Sequence, residues 1–357
     1  MIKAMKRTVL SQLFSDRMDD RSILVHTSGM RYFRFSVLAV ALACASAPGM
    51  AASQRPIAEL KPAATFKLGK TADWVAVTAD AVWVASSGPF AVNRIDPETN
   101  RRVASIRLPG EACAGLAVGA QSLWVPLCTK KPSLAKVDLE TNKVVAIFPV
   151  GPPAEEGGVA FGADSVWLII DKLGSLARID PATGAVLGTF HVPAGSYNPV
   201  FLSGSVWVTH AEGTDVTGVD AVTGRVNATV ATGPKPRFLA TGAGAVWTLN
   251  QGDGTLTRID ASTHAALTIS LGTPGHGGDI GFSDGKIWTT MPKVPLSLID
   301  AKSNRLECQW VGPGGDSLSL GHDSLWLTDY YKGTIARIPI KDVLAHCPGS
   351  PPASQAQ

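Results

Sequence analysis

The chain has 357 residues, 45% of them hydrophobic and 17% charged, with 32 basic against 29 acidic side chains. The first 51 residues hold seven of the basic and three of the acidic ones, which leaves 25 against 26, a net charge near −1, for the remainder. The sequence pI of about 8.6 is therefore set by the N-terminal segment, and no basic patch remains to serve a nucleic-acid partner.

In chain order, the first feature is a positive start, Met30-Arg31-Tyr32-Phe33-Arg34, followed by an apolar run from Phe35 to Ala47. Gly49-Met50-Ala51 then offers a small-x-small cleavage site. This pattern reads as a secretory signal peptide, too short for a membrane span. Residues 1–29 show no apolar periodicity, so Met30 is an alternative start. Cys44 offers a lipoprotein alternative, disfavoured by Ala41 where a lipobox usually has Leu. A periplasmic or secreted protein is expected, with a leader over 1–51, one domain over 62–342 and a tail over 343–357.

Beyond the leader, seven tryptophans recur in one local phrase: Trp83, Trp124, Trp167, Trp207, Trp247, Trp288 and Trp326. A period near 40 residues, with several short strands per unit, predicts a propeller blade array. Each unit begins with an inner strand six to eight residues before its Trp, as in Val75-Ala76-Val77 and Val159-Ala160-Phe161. Large and small residues alternate there at the period of a strand, and the small ones are expected where inner strands converge on the axis. The Trp strand returns antiparallel. A third strand ends in a basic-apolar-acid phrase such as Arg94-Ile95-Asp96 or Arg258-Ile259-Asp260, and a turn such as Thr99-Asn100 or Thr183-Gly184 follows. Asp accepts backbone N–H groups in such turns, and Gly or Asn tolerates positive φ, so these Asp residues are structural. A fourth strand closes each unit. The last unit lacks one after Arg337-Ile338-Pro339, and Ala64–Leu68 is expected to supply it and close the ring. The fold expected is all-β: a seven-bladed propeller of four-stranded blades, its last blade completed by the N-terminal strand.

Four cysteines remain after the leader, Cys113, Cys128, Cys308 and Cys347, an even number that allows three disulfide pairings in an exported chain. In the second repeat Val118 and Leu123 flank a short turn, and the same register carried outward sets Cys113 opposite Cys128. Cys308 then pairs with Cys347 by elimination. Four free thiols are the alternative.

Function in such a ring is expected at the channel mouth, on loops that approach the inner strand and leave the Trp strand. Those loops offer Asp73, Trp74, Glu156, Tyr197, Asn198, Arg237, His210, Asp316, Asp329 and Tyr330 for a polar ligand. His276 and Asp279 lie in the glycine-rich run Thr273-Pro274-Gly275-His276-Gly277-Gly278-Asp279 and are the candidate catalytic pair, a base with its carboxylate. The chain has no Gly-x-Ser-x-Gly elbow, no His-Glu-x-x-His, no Cys-x-x-Cys and no calcium-loop pattern.

The turn into Val-Trp and the basic-apolar-Asp-Pro run occur together as Asp164-Ser165-Val166-Trp167 and Arg178-Ile179-Asp180-Pro181-Ala182-Thr183-Gly184. On these phrases, residues 62–340 resemble the streptogramin B lyase-like (virginiamycin B lyase-like) propellers and, more loosely, the YVTN-repeat propellers. The resemblance implies magnesium-assisted opening of cyclic depsipeptides by a His in a Glu-Pro-His-Gly phrase, with a metal-binding Glu beyond the next Trp strand. Pro274-Gly275-His276-Gly277 keeps His-Gly without the Glu, and Thr289-Thr290-Met291-Pro292 after Trp288 has no carboxylate. The expected function is a monomeric ligand-binding or protein-interaction module, taking a small molecule or protein at the mouth. A C–O lyase or hydrolase, with Mg2+ implied by the resemblance alone, is the alternative.

Overall fold

The computed structural model describes residues 53–347. The signal peptide, Met30, Cys44 and the tail from 348 onward lie outside them. Seven sheets form among the described residues, each built on four antiparallel strands ordered outward from the axis. Blade 1 runs Thr71–Val77, Val82–Ser87, Ala91–Asp96 and Arg101–Arg107. The inner strands of blades 2 to 7 are Ala117–Gly119, Val159–Gly162, Ser196–Leu202, Pro236–Gly242, Asp279–Ser283 and Leu318–Gly321. Each packs against the next, and that of blade 7 packs against that of blade 1. The ring is therefore closed.

The seven repeat tryptophans are at most 1% exposed. Directly across the ladder from six of them stands a small residue of the inner strand, Ala76 opposite Trp83, Ala117 opposite Trp124, Ala160 opposite Trp167, Ala240 opposite Trp247, Gly281 opposite Trp288 and Ser319 opposite Trp326, while Trp207 faces Val200. Opposed residues share a face at close range, so these positions are small to admit an indole. The axial channel is lined by the larger alternate residues, among them Val75, Leu116, Val159, Leu239 and Leu318. Gly281 and Ser319 of the small positions line it too, and a Cβ at Gly281 would come within 2.8 Å of Leu318, as expected where inner strands converge.

The basic-apolar-Asp phrase has two structural duties. Its basic residue is the cross-strand partner of the Trp on the other side and lies over the ring, with centroid distances of 5.7 Å for Arg94, 5.5 Å for Lys136, 5.8 Å for Arg178 and Arg258, and 5.4 Å for Arg337. Blades 4 and 6 have Gly218 and Leu298 there, and His264 of blade 5 covers Trp207 edge-on instead. The Asp accepts turn N–H groups, as Asp180 does from Ala182 at 2.9 Å and Thr183 at 2.7 Å. These bonds hold its carboxyl below the usual range. The turn residues Asn100, Asn142, Gly184, Gly224, His264 and Asn304 all have positive φ, as the phrase requires.

Ala64–Lys67 pairs antiparallel with Thr334–Pro339 and completes blade 7. A second N-terminal strand, Ser53–Pro56, adds in parallel to Arg305–Val311 as a fifth strand of blade 6 and covers Trp310, which is fully buried. Its sequence has no apolar alternation, because backbone pairing rather than a buried face holds it there. After Pro339 the chain turns into a short helix, Ile340–Ala345, and Cys347 is bonded to Cys308 of the blade 6 edge. Cys113 and Cys128 form the other disulfide. The register between them differs from a simple extension of the turn: Val118 faces Leu123, but Ala112 bridges Leu127. The slip leaves the two cysteines diagonal, with Cα atoms 5.6 Å apart, still within bridging reach. Among the described residues no helix is long and apolar enough to cross a membrane.

Candidate functional site

Nine residues before each repeat Trp, within the inner strand or just before it, stand Trp74, Gly115, Gly158, Asn198, Phe238, Asp279 and Ser317. Two aromatics, two glycines and three polar groups make this tier asymmetric. Trp74 sits at a bulge between Asp73 and Val75 with φ of +47°, a conformation that costs a bulky residue about 1–2 kcal/mol. The turn sends its indole across the axis, beside Gly115, to within 6.3 Å of the Phe238 ring of blade 5. Trp74 borders two cavities. Above it an open cleft of about 870 Å³ occupies the mouth, and below it a narrow channel of about 260 Å³ runs between the inner strands. The indole is the floor of one and the roof of the other.

The upper cleft gathers seven of the residues expected from the sequence: Asp73, Trp74, Glu156, His276, Asp316, Asp329 and Tyr330. Asp73 accepts hydrogen bonds at Oδ1 from the Ser317 hydroxyl and from the Trp74 N–H, the latter at 2.8 Å. Burial, with Asp316 nearby, pushes its carboxyl up to about 7. Burial also raises Asp316, aided by Glu156 and Asp329. The Tyr330 phenol is raised by burial and by Glu111, Asp73, Glu155 and Asp316. Carboxylates and phenol shift in one direction because the cleft is acidic and partly dry.

The other expected residues lie elsewhere. Asp279 lines the lower channel, where its two oxygens accept the Ile280 N–H at 2.8 Å and the Leu318 N–H at 3.1 Å. Burial still lifts it to about 7. His276 is exposed and makes no hydrogen bond to Asp279 or to another carboxylate among the described residues. Tyr197, Asn198 and Arg237 form a brace on one side of the rim. Arg237 lies 4.3 Å over the Tyr197 ring and donates to Glu156 at 3.1 Å. Asn198, buried, donates to the carbonyls of Glu156 and Arg237, tying blades 3, 4 and 5 together. A Cβ at Gly158 would come within 2.7 Å of the Asn198 Oδ1, so the brace needs glycine there. His210 pairs with Asp215 at 3.0 Å, outside the cleft, and Glu212 pairs with Lys235.

Glu111 lines the cleft, although nothing in its local sequence marks it. It stands two residues before Cys113, and the Cys113–Cys128 bond fixes that approach loop at the mouth. Ser86 and Ser87 at the end of the blade 1 Trp strand join it there. Among the described residues no three His, Cys, Asp or Glu side chains converge as a metal ion requires. The residues present therefore do not fit the magnesium centre that the lyase resemblance implies.

No family model and no curated protein sequence matches the chain. Among solved structures it is similar to a streptogramin B lyase, at 17% identity and a TM-score of 0.64 over 77% of this chain and 96% of that one. It is also similar to BamB from Moraxella catarrhalis, at 14% identity and a TM-score of 0.54 over 78% and 97%. A third similar structure is the computationally designed Ika8 protein, at 13% identity and a TM-score of 0.58 over 76% and 97%. At these identities the likeness is one of fold: the chain is a seven-bladed β-propeller.

Proposed function

We propose that this propeller is an exported binding module that takes its ligand in the upper cleft, above Trp74. The observation that carries the reading is the cleft itself. Its volume of about 870 Å³ falls in the range of roughly 300–1,000 Å³ usual for ligand sites, and a strained aromatic residue closes its base. Export is supported by the two disulfides, which belong to oxidising compartments, and by the signal-like run before Ala51.

A lyase or hydrolase is the second reading. It is favoured by Asp73, whose carboxyl is held near neutrality at the cleft floor as a general base would be. Among the described residues His276 has no carboxylate hydrogen-bond partner, so in this reading the base is Asp73.

Thermal-shift screening of the full chain against pooled metabolites and cyclic depsipeptides tests both. A compound at 100 times its Kd is expected to stabilise the fold by about 2.7 kcal/mol, and the shift should vanish in a Tyr330→Ala/Asp316→Asn variant. Shifts that persist in that variant would place binding elsewhere. Turnover of a depsipeptide by wild type and not by Asp73→Asn would decide for the enzyme.

A further inference from the structure

We propose that the upper cleft selects an organic cation, an amine or ammonium group carried on an apolar body. The inference rests on the reading of the cleft as the ligand site and adds the charge and shape of what enters it. Six carboxylates line the cleft: Asp73, Glu111, Glu155, Glu156, Asp316 and Asp329. Only Lys293 and His276 of its lining can carry positive charge. Arg237 matches Glu156 and Lys332 matches Asp329. Among the described residues no basic side chain comes within ion-pair distance of Asp73, Glu111, Glu155 or Asp316. Four carboxylates thus share one cavity without an internal counter-ion.

A second, independent observation comes from the hydrogen bonding of Asp73. Both of its protein donors, the Ser317 hydroxyl and the Trp74 N–H, go to Oδ1. Oδ2 accepts no hydrogen bond from the described residues, and Asp73 lines the cleft. An accessible carboxylate oxygen that faces the cleft without a protein donor is free to accept from a ligand, and an ammonium N–H is a group that would donate to it. The walls add a third. Trp74 forms the floor, Tyr330 and Tyr331 meet edge-to-face at 5.3 Å, and Tyr331 stands 91% exposed at the rim. Aromatic faces attract cations and hold apolar bodies.

The spacing of the acids argues against a bare metal ion. A hard divalent cation needs several oxygens at about 2.0–2.6 Å around one point, and no three candidate ligands converge among the described residues. An extended amine can meet carboxylates on separate blades while its carbon chain lies on the indole.

Calorimetric titration of the full chain at low salt, with spermidine and with benzyltrimethylammonium, tests the proposal; glutarate and magnesium chloride are the controls. Both cations are expected to bind, and an Asp73→Asn/Asp316→Asn variant should weaken them about tenfold or more, the scale of lost close charge pairs. Tyr331→Ala alters an exposed side chain that the fold does not need. It should weaken benzyltrimethylammonium by about two- to fivefold, as a lost exposed cation–π contact would. Absence of cation binding, binding unchanged in both variants, or magnesium bound as tightly as spermidine would each overturn the proposal. Glutarate bound in place of the cations would overturn the charge class while leaving the cleft as the site. A screen without any mouth-dependent hit would instead remove the binding reading itself.

Discussion

A chain beginning at Gly69 is expected to lose cooperative unfolding, or to melt at least about 15 °C lower than the intact domain. The truncation removes Ala64–Lys67, the fourth strand of blade 7, and exposes the edge Thr334–Pro339. It also removes Leu60, 4% exposed, and Phe66, which stacks on Trp326 at 6.3 Å. The fifth strand of blade 6 goes with them, uncovering Trp310. Two buried leucines, Leu60 and Leu68, at about 1.5–3 kcal/mol each, with the partly buried Phe66 and the ladder lost as well, amount to roughly 6 kcal/mol. At about 2–4 °C per kcal/mol in a domain of this size, that gives the stated drop. Scanning calorimetry reads it directly, with Phe66→Ala as a milder control. A truncated chain melting within about 3 °C of the intact one would show that the ring does not depend on this closure.

The second large effect is on pH. Asp73 and Asp279 have folded-state values near 7 against 3.8 for the free side chain. Between those values the folded protein holds protons that the unfolded chain has released. Stability therefore falls as pH rises from about 4 and levels once both groups have ionised above 7. Each tenfold change in proton affinity corresponds to about 1.4 kcal/mol, and the two carboxyls together are expected to give a loss of a few kcal/mol across the window. The turn aspartates, whose carboxyls are held low by N–H donors, work in the opposite sense and only as pH falls below about 4. Maximum stability is therefore expected at about pH 4–5. Urea denaturation at pH 5 and pH 8 measures the slope, and Asp73→Asn should flatten it because the amide oxygen can still accept from Ser317 and Trp74. Asp279 is a poorer test, since both its oxygens already hold N–H groups. A stability that rises between pH 5 and 8 would contradict the placement of both carboxyls.

The ring is legible in the sequence because one large residue recurs at a fixed place on the second strand, and its packing demands repeat with it. The Asp-turn phrase is legible for the same reason: its hydrogen bonds are local. The basic residue of that phrase is visible too, yet its seat over the indole depends on strand register, which spacing alone does not supply. Ser53–Pro56 leaves no apolar pattern, because that strand is held by backbone pairing and by polar side chains, Ser53 on Cys308 and Gln54 on Gln309, rather than by a buried face. The site is less legible than the fold. Proximity in sequence sets His276 beside Asp279, but Asp279 begins the inner strand and faces the channel, while His276 remains on the exposed loop above it. The grouping of Asp73, Glu111 and Asp316 comes from blades 1, 2 and 7 meeting around the axis. The cross-axis approach of Trp74 to Phe238 depends on a single bulge. Neither leaves a local signature.

Binding in the cleft above Trp74 is open to hydrogen exchange of the full chain, with and without the compound that most raises its melting temperature. Protection is predicted over residues 71–74, 111–113, 312–316 and 329–331, which line the cleft, with the outer strands and the Asp turns unchanged. Protection confined to the outer strands or to the opposite face of the ring would contradict it.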